Sequence, residues 1–290
     1  DERVDALNAI EKYQVEDFEA IFRLSGERPT IVRLLDPPLH EFLPNSAEDI
    51  QHVAQQLNIS EDILKKRIVD LHEVNPMLGH RGCRLAVTYP ELYEMQVEAI
   101  ISSVIRLKKE GINCKPEIMI PLVSTVEEFT VLKEDLVETI HKLEQQAGEK
   151  VDYLVGTMIE TPRACLIAGE LAEHCDFFSF GTNDLTQLAY GFSRDDAGKF
   201  INVYTERNIL KLDPFQTLDK DGVGRLIQIA VEQAKRVNSN IKIGVCGELG
   251  GDAKSIHQFN KLSIDYVSCS PFRVPGAIIA TAQSQVEESE

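Results

Sequence analysis

The sequence predicts an α/β fold built on a parallel sheet whose strands are covered on both faces. Three observations point to it. Short apolar runs of strand type recur along the chain, each followed by a longer amphipathic stretch. Most of these runs are apolar throughout rather than alternating, as strands buried on both faces are. Polar residues gather where the runs end, the place from which side chains of parallel α/β folds point into a site.

The strand candidates are the runs 30–35, 118–123, 153–159, 177–180, 241–246 and 264–269. The stretches between them carry helix punctuation. Ser124 followed by Glu127 has the spacing of a capping box, Thr161 precedes Pro162 as an N-cap precedes a first-turn proline, and Gly111 and Gly148 follow long helical segments. The βα alternation implies parallel strands. Residues 45–110 break this rhythm, with helices opening near Ser46, Ser60 and Pro90 and no strand between them, so they are read as a helical insertion between the first two strands. No repeat or low-complexity linker divides the chain, which argues for one domain ending in a short polar tail at 287–290.

Composition excludes several classes of function. Among 290 residues, 30 Lys plus Arg stand against 47 Asp plus Glu, a net charge of −17, and the longest basic run is Lys65-Lys66-Arg67. Such a chain is a poor ligand for polyanions, so neither nucleic acid nor an anionic membrane is an expected partner. The apolar runs are far shorter than the ~20 residues of a spanning helix, and no signal-peptide pattern opens the chain, so a soluble, cytoplasmic protein is expected, an organelle such as a plastid or glycosome being the alternative. The six cysteines form no C-x-x-C pair or Cys/His cluster, and most are expected to be small buried hydrophobes.

Chemistry is expected at the strand ends. Glu160 ends the third run, Asn183 and Asp184 follow the fourth, Cys246 and Glu248 end the fifth, and Ser268 and Ser270 flank the sixth. A Glu and an Asp on neighbouring strand ends offer the hard oxygens that Mg²⁺ prefers. Helix capping would use the same positions, since Glu160 precedes Thr161-Pro162 and Asp184 precedes Leu185-Thr186, and spacing alone leaves both roles open. Arg33 sits inside the apolar run TIVRLL, where a buried guanidinium needs an anion or a carboxylate. Arg81 and Arg84, in LGHRGCRL, suit a phosphate or carboxylate clamp; pairing with Asp36 is the alternative for these arginines. Cys246, in CGE, is either an inert buried thiol or a proton donor to a carbanion, protonated at neutral pH and able to act in reverse as a thiolate base. No phosphate-binding G-x-x-x-x-G-K-[ST] loop, G-x-G-x-x-G, G-x-S-x-G or H-E-x-x-H motif is present.

Taken in order, RLLDPPLHEF, NPMLGHRGCRLAVTYPE, PEIMIPLV, GTMIETPRA, FFSFGTNDLTQ, GFSRDDAGKF, GVCGELGGD and YVSCSPFRVP closely resemble the C-terminal, phosphoenolpyruvate- and pyruvate-binding domain of the pyruvate, phosphate dikinases, within the PEP-utilising enzymes. The resemblance covers nearly the whole chain. It implies a TIM-type (β/α)8 barrel, of which about six of eight strands are present, because the six runs lack an earlier strand with a G-L-C-R-T-E-type arginine and the stretch 4–24 is helix-like. It also implies Glu160 and Asp184 as Mg²⁺ ligands, Gly181, Thr182 and Asn183 as substrate-binding residues with Asn183 orienting the carboxylate, Arg33 and Arg81 as the grip on the phosphoryl group and enolate oxygen, and Cys246 as the proton donor. The implied partners are phosphoenolpyruvate or pyruvate, a phosphohistidine domain, a nucleotide-binding domain and a second copy in a homodimer. On this basis the chain is expected to be a C-terminal piece, inactive alone. The rival expectations are a Mg²⁺-dependent lyase or mutase acting on a pyruvyl enolate, and a chain that keeps only an assembly surface.

Overall fold

In the computed structural model, which describes residues 2–287, six parallel strands pair in sequence order into one curled sheet. They are β1 (Pro29–Arg33), β2 (Lys115–Ile120), β3 (Leu154–Ile159), β4 (Phe177–Gly181), β5 (Lys242–Cys246) and β6 (Tyr266–Val267). The expected α/β class and incomplete barrel are therefore observed, as a half-barrel whose edge strands are β1 and β6. The polar tail expected at 287–290 lies, beyond Glu287, outside the described residues.

Thirteen helices accompany the strands among the described residues: α1 (Glu2–Ser25) before β1; α2 (Ala47–Gln56), α3 (Glu61–Asp70), α4 (Cys83–Thr88) and α5 (Glu91–Lys109) between β1 and β2; α6 (Val126–Ala147) after β2; α7 (Pro162–Leu166) and α8 (Ala168–Ala172) after β3; α9 (Thr182–Tyr190), α10 (Ile201–Glu206) and α11 (Val223–Val237) between β4 and β5; then α12 (Ala253–Lys261) and α13 (Val274–Glu287). Ser46, Ser60, Thr161 and Asp252 each accept an N-cap hydrogen bond at the start of α2, α3, α7 and α12. Helix α5 packs between α1 and α6 in the outer layer, whereas α2 and α3 pack on each other.

The outer face of the sheet makes the core. Ile118, Ile120, Val155, Ile159, Phe178, Phe180, Ile243 and Val245 are buried and pack against apolar residues of the helices, among them Val97, Ile101, Leu132, Leu136 and Ile227. Each such side chain contributes about 1.5–3 kcal/mol on burial. The opposite, concave face holds the intervening residues, so the period of two separates packing from chemistry.

Local details differ from the sequence reading for identifiable reasons. Strand β1 ends at Arg33, two residues before the apolar run does. Leu34 N–H still bonds Met119 of β2, at 3.0 Å, but Leu35 N–H turns to the Gln96 side chain of α5, at 2.7 Å. The capping box of α6 lies one residue beyond Ser124 and Glu127: Thr125 accepts from Glu128 N–H, and the Glu128 carboxylate accepts from the N–H groups of Thr125 and Ser124. Both frames satisfy the spacing, and Thr125 is the residue with extended N-cap geometry.

Candidate active site

The C-terminal ends of the strands open into a cleft of about 790 Å³, whose lining includes Arg33, Glu160, Gly181, Asn183, Asp184 and Cys246. Each arrives there for a local reason. Glu160 is the residue after β3, and Thr161, not Glu160, caps the following helix. Gly181 ends β4 and passes the chain directly into α9, which puts Thr182, Asn183 and Asp184 in its first turn without Asp184 making a cap bond. Neither carboxylate is spent on helix capping, the alternative that spacing left open.

Glu160 is 1% exposed. Its Oε1 accepts a 2.6 Å hydrogen bond from the Leu122 backbone N–H. Burial, followed by the charges of Asp184 and Asp36, pushes its carboxyl well above the ordinary range. Gly181 leaves the place beside the other oxygen open, for a Cβ there would lie 2.3 Å from Glu160 Oε2.

Arg81, 3% exposed, reaches the same place from the loop before α4. Its guanidinium divides between Asp36 Oδ2, at 2.6 Å, and Asp184 Oδ1, at 3.0 Å. Burial alone would lower its pKa, but the charges and hydrogen bonds of Asp36 and Asp184 outweigh that and hold it above the ordinary value. Arg33 differs from the buried guanidinium that its apolar run suggested: its side chain is 46% exposed, because β1 is an edge strand and alternation turns Arg33 onto the open concave face. It stands 3.5 Å from Asp36. Arg84 is not part of the cluster and donates instead to the carbonyls of Leu78 and Gly79.

Cys246 ends β5, its Sγ 3.5 Å from the Phe180 carbonyl. Burial pushes the thiol up, a hydrogen bond with the Ser179 side chain opposes this, and the Glu160 charge adds to the rise, so the group is a thiol at neutral pH. Gly247, at φ +95°, turns the chain away from the cleft, leaving Glu248 exposed and paired with Arg194 at 3.1 Å. Ser268 lines the cleft, while Ser270 lies outside it beside Cys269 and Arg273. Sequence reasoning gave Asp36 only as a partner for arginines and missed Leu122, the donor to Glu160. The one available signal was the apolar run at 118–123 continuing past the strand.

Among the described residues no three His, Cys, Asp or Glu side chains gather closely enough to hold a metal ion alone. The residues present nevertheless fit a hard divalent cation supplied with further oxygens by substrate and water. A buried carboxylate with one backbone donor and a glycine-made space at its second oxygen is short of positive charge.

A parallel α/β half-barrel with carboxylates, arginines and a thiol at its C-terminal rim has the layout of an enzyme domain. The chain belongs to the PEP-utilising enzymes: residues 2–286 match the model of the PEP-binding domain of that family. It is 51% identical to the pyruvate, phosphate dikinase of Rickettsia bellii (strain RML369-C) over 288 residues, 99% of this chain and 33% of that protein. The pyruvate, phosphate dikinase of Clostridium symbiosum is 48% identical over 283 residues, 97% of this chain and 32% of that one. The chloroplastic pyruvate, phosphate dikinase 1 of Arabidopsis thaliana is 48% identical over 285 residues, 98% and 30% respectively. The chain thus spans about a third of the length of the curated relatives it matches. A solved citrate lyase from Burkholderia xenovorans LB400 aligns over 65% of this chain and 53% of its own, at 15% identity and a TM-score of 0.43.

Proposed function

We propose that the chain is the phosphoenolpyruvate- and pyruvate-binding domain of a pyruvate, phosphate dikinase, and that it transfers a phosphoryl group between a phosphohistidine on another domain and pyruvate enolate. In the whole enzyme ATP, phosphate and pyruvate would give AMP, pyrophosphate and phosphoenolpyruvate. The observation that supports this best is the meeting of Glu160, Asp184 and Cys246, from three separate strand ends, around one cleft, with Arg81 paired to Asp184 behind it.

Glu160 and Asp184 would hold Mg²⁺, which when bound neutralises the substrate carboxylate and the oxygen that gains charge as the phosphoryl group leaves. Arg81 and Arg33 face the phosphoryl and enolate oxygens, with planar forks suited to both. Asn183, with Gly181 and Thr182, orients the substrate carboxylate. Toward pyruvate, the Cys246 thiol gives its proton to the methylene carbon and becomes a thiolate; toward phosphoenolpyruvate, the thiolate removes a methyl proton and the enolate oxygen takes the phosphoryl group.

On this reading residues 1–290 form the barrel domain, with 45–110 as a helical insertion within it. Its partners are a nucleotide-binding domain, a phosphohistidine domain and a second copy. The cytoplasm is its place, a plastid or glycosome being the alternative. Among the described residues no helix is long and apolar enough to cross a membrane.

Oxalate, a planar dianion shaped like the enolate, tests the reading by calorimetry. Binding that requires Mg²⁺ and is lost in Glu160→Ala is expected. Oxalate binding indifferent to both would overturn the assignment of the site.

A further inference from the structure

The carboxylate of Asp36 stands at the centre of the charge network without lining the cleft. It is 6% exposed, its Oδ2 is 2.6 Å from Arg81 and 3.5 Å from Arg33, and its Oδ1 is buried with no hydrogen-bond partner among the described residues. The fold protects this position. Gly82, at φ +56°, bonds the Asp36 carbonyl through its N–H at 3.1 Å, and a Cβ on Gly82 would lie 3.1 Å from Asp36 Oδ1 and 2.9 Å from Leu122 Cβ. Residues 36, 82 and 122 therefore lock together, and Leu122 is the donor to Glu160.

Arg81 has two carboxylate partners, besides the Met77 carbonyl at 3.4 Å, and only one of the two carboxylates lines the cleft. Asp184 is the carboxylate that a divalent cation would claim, and a cation cannot share it with a guanidinium at 3.0 Å without displacing that guanidinium or weakening its own hold. A buried arginine deprived of its anion is costly. Asp36 removes that obstacle, because Arg81 retains a charge-assisted bond to it whether or not Asp184 is occupied.

We propose that Asp36 is a positioning residue for this site: by holding Arg81 it frees Asp184 for the cation and keeps the guanidinium aimed at the substrate. This rests on the reading of Glu160 and Asp184 as cation ligands. Without Asp36, Arg81 would have Asp184 as its one remaining carboxylate partner and would compete with the cation for it.

The test is a double-mutant cycle on the full chain with Asp36→Asn and Arg81→Met, read by Mn²⁺ binding in electron paramagnetic resonance and by thermal melting. Asp36→Asn is expected to weaken Mn²⁺ binding roughly tenfold, the scale of one lost charge-assisted bond. In the Arg81→Met background the same substitution should change binding no more than about twofold, since only its through-space charge is then lost. Equal losses in both backgrounds, or an Asp36→Asn protein within twofold of the unsubstituted one, would overturn the proposal. A melting midpoint lowered equally in both backgrounds, with Mn²⁺ binding following it, would assign Asp36 a purely structural role and overturn it as well. Mn²⁺ binding that Glu160→Ala leaves unchanged sinks the cation-ligand reading, and the proposal with it; a coupling that fails while Glu160→Ala abolishes binding sinks the proposal alone.

Discussion

Glu160 Oε1 is held at 2.6 Å by the N–H of Leu122, a non-glycine residue at φ +62°. A leucine in the left-handed region is strained. Here that conformation turns an N–H away from β2 and onto a carboxylate at the end of β3, so the turn after one strand sets the acid on the next. With one such donor and two nearby carboxylates, ionised Glu160 destabilises the cation-free protein.

The first prediction follows from the sign of that shift. The folded-state pKa of Glu160 is raised well above the ordinary carboxyl value of 4.5, so the folded state binds the extra proton. Stability is full below that value and is lost as pH rises through the folded pKa. Glu160→Gln keeps the acceptor for Leu122 N–H and removes the charge. Its melting midpoint should exceed that of the unsubstituted protein at pH 8 without added cation, by about 2–4 °C for each kcal/mol relieved. The two midpoints should converge near pH 4.5. A gap that is constant across this range would refute the charge account.

A second prediction concerns Cys246. In a full-length enzyme carrying this domain, in deuterated buffer with Mg²⁺, exchange of the pyruvate methyl protons should fall by about 10²–10⁴-fold in Cys246→Ala, the usual range for removing a general acid or base. Oxalate affinity should stay within a few-fold, since the thiol offers little contact area. Cys246→Ser keeps the shape but is a far weaker acid, so unchanged exchange in that variant would assign the proton to another group or to water.

Much of this arrangement was legible in the sequence, and its limits are physical. The strands were visible because burial leaves apolar runs, as at 118–120, where local composition reports global position. Glu160, Asp184 and Cys246 stood out by ending such runs with polar groups. Arg33 was misread because an apolar neighbourhood does not distinguish an edge strand from a central one, and the side chain faces the open side. The Asp36–Arg81–Asp184 chain was beyond sequence reading, because Arg81 and Asp184 are 103 positions apart and only the curl of the sheet brings them together.

The third prediction tests the space beside Glu160. Gly181 has a negative φ of −88°, so alanine there strains no backbone. Its methyl group, however, would fall 2.3 Å from Glu160 Oε2 and 2.7 Å from Met158 Sδ. Gly181→Ala should abolish the Mg²⁺ dependence of oxalate binding while preserving the far-ultraviolet circular dichroism spectrum. Retained cation-dependent binding would mean that the cation does not use the space the glycine leaves.

The last prediction concerns the floor of the cleft, where Lys242 of β5 donates at 2.8 Å to both oxygens of Glu117 on β2. These strands are not neighbours in the sheet, so the pair spans the inside of the curl and braces it. Lys242 also lies over the Tyr266 ring, 4.9 Å from its centroid, and Tyr266 packs so closely on Gly244 that a Cβ there would sit 2.0 Å from its Cζ. The Glu117 side chain is 5% exposed and that of Lys242 34%. Removing the lysine therefore strands a buried carboxylate, at a cost of about 3 kcal/mol, the lower end for a buried pair because the lysine is partly solvated. Lys242→Met should lower the melting midpoint by roughly 6–12 °C at neutral pH. Adding Glu117→Gln should recover most of that loss, because the stranded charge rather than the missing contact is what destabilises. Loss of stability that the second substitution does not restore would show that Lys242 acts through its packing on Tyr266, and that the curl of the sheet is held by its outer helices alone.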